Sequence, residues 1–224
     1  MKKLAFLLAY AATLVVPAAI YIVPLGGISD GYSLSVAFGT VAFGMFANQF
    51  LLAARPRPAV SALGAKGLLS FHGSAGFAAL LIAFTHRSLK VGLPGVLQGS
   101  GFTADTPQAL FGLFAFTLFA FSVFLAAFFM ANTFWMKIAF LKRLKERVWA
   151  STGLSYPRMR VIHNLVVLAS IAILLHVLLA STSDFSGNPA ASVWMAGWMA
   201  FCLGSYAKYR LSGRRGGSVA RERA

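Results

Sequence analysis

Apolar residues run almost without interruption over six stretches of this chain, and polar residues collect between them. The stretches are residues 4–23, 34–54, 68–89, 108–131, 160–180 and 190–209. Each is close to the roughly 20 apolar residues that carry an α-helix across a bilayer. The pattern predicts an all-α membrane protein, a six-transmembrane-helix bundle. The breaks carry turn chemistry. Residues 24–33 are rich in Gly and Pro signals, Arg55-Pro56-Arg57-Pro58 ends the second stretch, and Thr106-Pro107 reads as a cap with proline in the first helical turn. The first stretch follows Lys2 and Lys3 and has two readings, a signal peptide or a retained span. Its length and the topology below favour retention, with Pro17 as a candidate kink.

The fourth stretch is crowded with phenylalanine (111, 114, 116, 119, 121, 124, 128 and 129), expected to face lipid and fill packing surface. After Trp135 the period changes. Lys137, Lys142, Arg143, Lys145 and Arg147 alternate with Ile138, Leu141, Leu144 and Val148. Apolar steps of three and four read as an amphipathic helix. It is expected to extend the fourth span along the membrane surface, as an anchor on anionic lipid or as a docking surface for a soluble partner. The tail, residues 210–224, is basic, rich in Gly and Arg, and expected to be disordered.

Composition agrees with a membrane class. Of 224 residues, 58% are hydrophobic and only 11% charged, against about a quarter charged in soluble domains. The net charge of +15 would suggest nucleic acid in a soluble protein. Here it sits between apolar spans, so topology explains it and no nucleic-acid partner is expected. The single cysteine, Cys202, excludes an intramolecular disulfide.

Charge also orients the bundle. With six spans, both termini share one side, and that side holds 18 of the 20 basic residues. Only Arg87 and Lys90 lie opposite, with Asp30, Asp105 and Asp184. The positive-inside rule places both termini in the cytoplasm. Trp135, Trp194 and Trp198 are expected near span ends, as interfacial tryptophans are.

The four histidines then stand out. Two lie in the third stretch, His72 and His86, and two in the fifth, His163 and His176. Ionisable residues inside a membrane are costly and mark function by default. Both stretches run outward, so His72 and His163 lie near the cytoplasmic face, and His86 and His176 near the outer face. The separations of 14 and 13 residues are roughly 20 Å along a helix at about 1.5 Å per residue. Two pairs at matched depths suit two six-coordinate haems, each bridged between two helices. Zinc ligands would stand within a few ångströms of one another, and a proton relay would want carboxylates, which no span contains. Arg87 is a candidate partner for the outer haem carboxylates, and Arg158 and Arg160 for the inner ones; as span-end charges they need no such role. One geometric check fails: on an ideal helix a 13-residue step leaves His163 and His176 roughly 140° apart in azimuth.

These residues carry a resemblance. The spacing of His72 and His86, the spacing of His163 and His176, and the segment Tyr156-Pro-Arg-Met-Arg-Val-Ile-His163-Asn-Leu resemble the ferric reductase-like transmembrane domain, shared by iron and copper reductases and the membrane part of NADPH oxidases. The likeness covers the six-span core, most clearly residues 66–180. It implies two haem b groups that carry electrons across the membrane, and it implies the same 13-residue step. Many relatives continue into a flavin- and nicotinamide-binding domain. This chain has no glycine-rich dinucleotide fingerprint, and so is similar to the short bacterial forms, including the haem subunit paired with a periplasmic methionine sulfoxide reductase. The expectation is an oxidoreductase subunit in the inner (plasma) membrane of a bacterium. Its donor would be a cytoplasmic flavoprotein or a quinol. Its extracytoplasmic acceptor would be ferric iron, oxygen or a redox protein. The alternative is a non-redox transporter or assembly subunit with structural histidines.

Overall fold

A computed structural model describes residues 1–97, 105–130, 137–153, 155–183 and 186–221. Among them the chain is helical, and no strand occurs. The α-helices are α1 (Lys2–Ile22), α2 (Gly31–Ala53), α3 (Arg57–Leu97), α4 (Pro107–Leu125), α5 (Ala139–Thr152), α6 (Tyr156–His163), α7 (Val166–Leu178) and α8 (Pro189–Arg221). Five segments are long and apolar enough to cross a membrane: Lys2–Leu25, Gly31–Ala53, Arg57–Gly92, Pro107–Phe128 and Pro157–Leu178. They match the first five expected spans. The sixth expected span lies in α8, which falls outside that group of five.

Local chemistry sets the helix ends. Asp30 caps α2: its carboxylate accepts from the Ser33 backbone N–H at 2.7 Å, and the Ser33 hydroxyl accepts from the Asp30 N–H at 3.1 Å. This reciprocal box satisfies amide groups that the first turn leaves orphaned. Thr106 caps α4 through the Ala109 N–H at 3.1 Å, with Pro107 in the first turn as expected. α3 is kinked at Gly64 (φ 68°) and Gly92 (φ 72°). Only glycine takes such angles without strain, so the straight part of α3 lies between them and carries both of its histidines.

α2 is the central helix. It packs on α3, α1 and α8, while α4 packs chiefly on α7. Small residues let these backbones approach closely: Ala42, Ala75, Ala79, Ala115, Ala169 and Ala172 share one buried cluster. Phe46 of α2 and Phe119 of α4 stack within it, ring centroids 3.9 Å apart and planes within 7°. Phe114, Phe121 and Phe124 are exposed. α8 closes the other side, with Met195, Met199 and Cys202 buried against Tyr21, Phe43 and Phe50.

One expectation changes. The amphipathic helix does not extend the fourth span, because Ile138 is extended (φ −86°, ψ 110°) and α5 starts afresh behind it. Trp198 has a partner on α2. Its indole N–H donates to Asn48 Oδ1 at 3.0 Å inside the bundle, and its ring stacks on Trp194. A buried indole needs such a partner. Helix α8 continues from the sixth expected span as far as Arg221. No proline lies between Tyr209 and Arg221, and glycine alone costs a helix only about 1 kcal/mol per residue. Trp135 and Asp184 lie outside the described residues.

Candidate functional site

The structure brings the four histidines together as the two expected pairs. His86 of α3 and His176 of α7 face each other with ring centroids 6.3 Å apart and planes at 81°. His72 and His163 lie close enough to interact electrostatically. No group of three or more metal-ligating side chains forms among the described residues, so the histidines stand two by two.

α3 and α7 are not packed against each other to any extent; α3 rests on α2 and α7 on α4. The supporting helices hold the histidines from behind. His86 Nδ1 is 2.7 Å from the Ser35 carbonyl oxygen of α2, and His176 Nδ1 is 2.8 Å from the Gln108 carbonyl oxygen of α4. A carbonyl only accepts, so each Nδ1 carries the proton and donates it. In a neutral ring that leaves the Nε2 lone pair available, the arrangement by which metal-bound histidines are oriented.

Both rings reach those carbonyls in the same way. A Cβ on Gly39 would sit 2.8 Å from His86 Nδ1 and Cε1, and a Cβ on Gly112 would sit 2.6 Å from His176 Nδ1. Gly39 is four residues after Ser35, and Gly112 four after Gln108. On each supporting helix, one missing side chain opens the path to the carbonyl one turn earlier. The sequence reading missed both glycines. Their signal was a glycine inside an apolar span, one turn after a residue near the span's outer end.

The inner pair is held by side chains as well. The Gln49 amide nitrogen, turned toward α3, donates to His72 Nδ1 and to the His72 carbonyl oxygen at 2.9 Å each, while its oxygen accepts from the Gly76 N–H at 3.3 Å. Turned over, the same amide would accept from Nδ1–H, so it can serve either tautomer of His72. His163 Nδ1 is buried without a hydrogen bond, beside the Ser122 backbone, and the Ser122 hydroxyl is itself buried and unpartnered. A π-helical turn, Ala126–Met130, follows directly on α4; such bulges recur at functional sites.

Span five resolves the failed azimuth. It is two helices, α6 and α7, joined by a tight turn. The N–H groups of Asn164, Leu165 and Val167 bond the carbonyls of Val161, Ile162 and Asn164, each at 3.0 Å. These three-residue steps advance about 120° per residue instead of about 100°. Over the turn the excess is roughly 60–80°, which brings the expected separation of His163 and His176 from about 140° to about 60–80°. The Tyr206 hydroxyl of α8 donates to Asn164 Oδ1 at 3.0 Å and pins the turn.

The expected basic partners divide. Arg87 is half-buried beside the outer pair, and both His86 and His176 feel its charge and that of Lys90. Lys90, which the sequence reading did not select, also places its Nζ 4.0 Å above the Tyr32 ring. Arg158 and Arg160 precede His163 in α6. Arg158 is turned to the end of α5, donating to the Gly153 carbonyl at 2.7 Å, and Arg160 is exposed.

The spacing of the His86 and His176 rings fits one metal held between them. Two metal–nitrogen bonds of about 2.0–2.1 Å, with about 1.2 Å from nitrogen to ring centre on each side, place two ligand rings about 6.4 Å apart across one metal. The His86–His176 distance agrees. Comparison with family models, with curated proteins and with solved structures finds no match to this chain.

Proposed function

We propose that this chain is a dihaem cytochrome b subunit that carries electrons across a bilayer. His72 and His163 would hold the inner haem b, and His86 and His176 the outer one. The observation that carries this reading is the facing of His86 and His176, each with Nδ1 committed to a carbonyl and Nε2 left for iron. A haem with two imidazole ligands has no open position; the chemistry it supplies is one-electron transfer.

The chain's own residues do the rest. Gly39 and Gly112 admit the outer rings, and the Ser35 and Gln108 carbonyls fix their tautomer. Gln49 and Ser122 stand behind the inner rings. Arg87 and Lys90 would supply positive charge to the carboxylates of the outer haem. Dense packing between the two levels, with Phe46 on Phe119, keeps water out of the interval. In this reading α8 is the sixth span, α1 is retained, and both termini lie in the cytoplasm of a bacterial cell. The resemblance to the ferric reductase-like transmembrane domain points the same way. A cytoplasmic flavoprotein or a quinol would be the donor, and ferric iron, oxygen or a redox protein outside the acceptor.

Transfer across a sealed vesicle tests the function. The purified protein is reconstituted with a ferric acceptor trapped inside and a membrane-impermeant reductant outside. Reduction of the trapped acceptor is expected with the intact chain and not with His86→Ala. Equal rates with and without the protein would overturn the proposal.

A further inference from the structure

α5 poses a separate question, because it stands off the bundle. It starts behind the extended Ile138 and ends at Gly153, whose φ of 60° closes it. No other element packs extensively on it among the described residues. Both its neighbours in the chain, α4 with its π turn and α6, belong to segments long and apolar enough to cross a membrane. A helix tied at both ends to such segments is held at their surface.

One face of α5 is mixed in a specific way. Ala139, Phe140, Arg143, Leu144 and Arg147 line a single groove of about 380 Å³. Phe140 is 71% exposed and Leu144 40% exposed. Arg143 and Arg147 are one helical turn apart, so their guanidinium groups rise side by side. Lys142 and Lys145 add positive charge, against the single acid Glu146. We propose that this face is a seat for an anionic glycerophospholipid of the surrounding leaflet. Arg143 and Arg147 take the phosphate, for which guanidinium forks are suited, and Phe140 and Leu144 take the start of an acyl chain. An amphipathic helix with aromatic and leucine residues beside basic ones lies in the interface in this way. An acidic soluble protein would meet the arginines but would leave Phe140 without an apolar neighbour.

The test uses the full chain in nanodiscs of phosphatidylcholine alone and in nanodiscs containing phosphatidylglycerol. Amide hydrogen exchange is read over residues 139–152. Phosphatidylglycerol is expected to slow exchange there by about tenfold or more, from about fivefold per basic residue at an anionic surface. Arg143→Gln with Arg147→Gln is expected to abolish the lipid dependence. Arg143→Lys with Arg147→Lys, which keeps both charges, should retain most of it and controls for folding. Equal exchange in the two lipids, or a lipid effect that survives the double glutamine variant, overturns the proposal. So does equal protection by inorganic phosphate or by an acidic soluble protein in phosphatidylcholine discs, which would assign the groove to a free anion or a protein partner.

Discussion

His86 and His176 face each other across the gap between α3 and α7, ring centroids 6.3 Å apart and planes at 81°. Neither ring is held by its own helix. Each is set by a carbonyl on the helix behind it, and each passes over a glycine to get there.

Gly112→Ala should be costly although alanine is the better helix former. Alanine ordinarily gains a helix about 1 kcal/mol over glycine. Here its Cβ would meet His176 Nδ1 at 2.6 Å, so the ring must leave the Gln108 carbonyl or the helices must part. Overpacking of that kind costs typically 1–3 kcal/mol. A net loss of up to about 2 kcal/mol in thermal stability is expected, together with loss of haem at the outer pair alone. Gly197→Ala, where nothing lies within 4 Å of the added Cβ, is the control and should leave stability within about 1 kcal/mol of the parent.

Tyr206→Phe removes the one hydrogen bond that pins the overwound turn at Asn164. The stability loss should be small, about 0.5–1.5 kcal/mol. Its effect on the site should be broader than that of Gly112→Ala, because the turn phases His163 and His176 together. Electron paramagnetic resonance should show the low-spin signals of both haems broadened or shifted. A change confined to one signal would mean that the turn does not set the phase.

Gln49→Leu leaves His72 Nδ1 without its partner. Second-shell changes of this kind typically cost about 10–100-fold in metal affinity. Haem should be lost from the inner pair and retained at the outer pair, seen as half the haem content and one remaining set of redox transitions. Gln49→Glu, which keeps an acceptor for Nδ1–H, should recover the inner haem.

Acid should loosen the outer end of α2. The Ser33 backbone N–H, and then the Ser33 hydroxyl, hold the Asp30 carboxyl below its ordinary value of 3.8. The unfolded chain therefore takes up the proton first as pH falls. The cap contributes fully above about pH 3.8 and is lost as pH drops through the lower folded-state value. α2 carries the Ser35 carbonyl and Gly39 just beyond that cap. The difference in melting temperature between the parent and Asp30→Ala should be present at neutral pH and should vanish in strong acid. A difference that stayed constant across that range would remove the cap from the account of α2.

The pairing of the histidines was legible because both its signals are local. Apolar stretches of spanning length mark the helices, and an ionisable residue inside one is conspicuous wherever its partner lies. The devices that hold the rings were not legible, because they depend on which helix backs which. Gly39 and Gly112 read alone as ordinary small residues of membrane helices. They acquire meaning only once α2 lies behind α3 and α4 behind α7. Asn164 was hidden for another reason: the turn it occupies carries neither glycine nor proline and is made by backbone hydrogen bonds and the Tyr206 hydroxyl. The partner of Trp198 was hidden too, because the buried oxygen of Asn48 that receives its N–H is 150 residues away.

Haem content, measured on the purified chain and on single histidine variants, is the most direct test. Two haem b groups per chain are expected, both low-spin and reducible, as shown by the pyridine haemochrome and by reduced-minus-oxidised spectra. His86→Ala and His176→Ala should each leave one haem with the same residual spectrum, and His72→Ala and His163→Ala should each leave the other. A chain without reducible low-spin haem, or one whose haem content survives all four substitutions, would contradict the assignment of the two pairs.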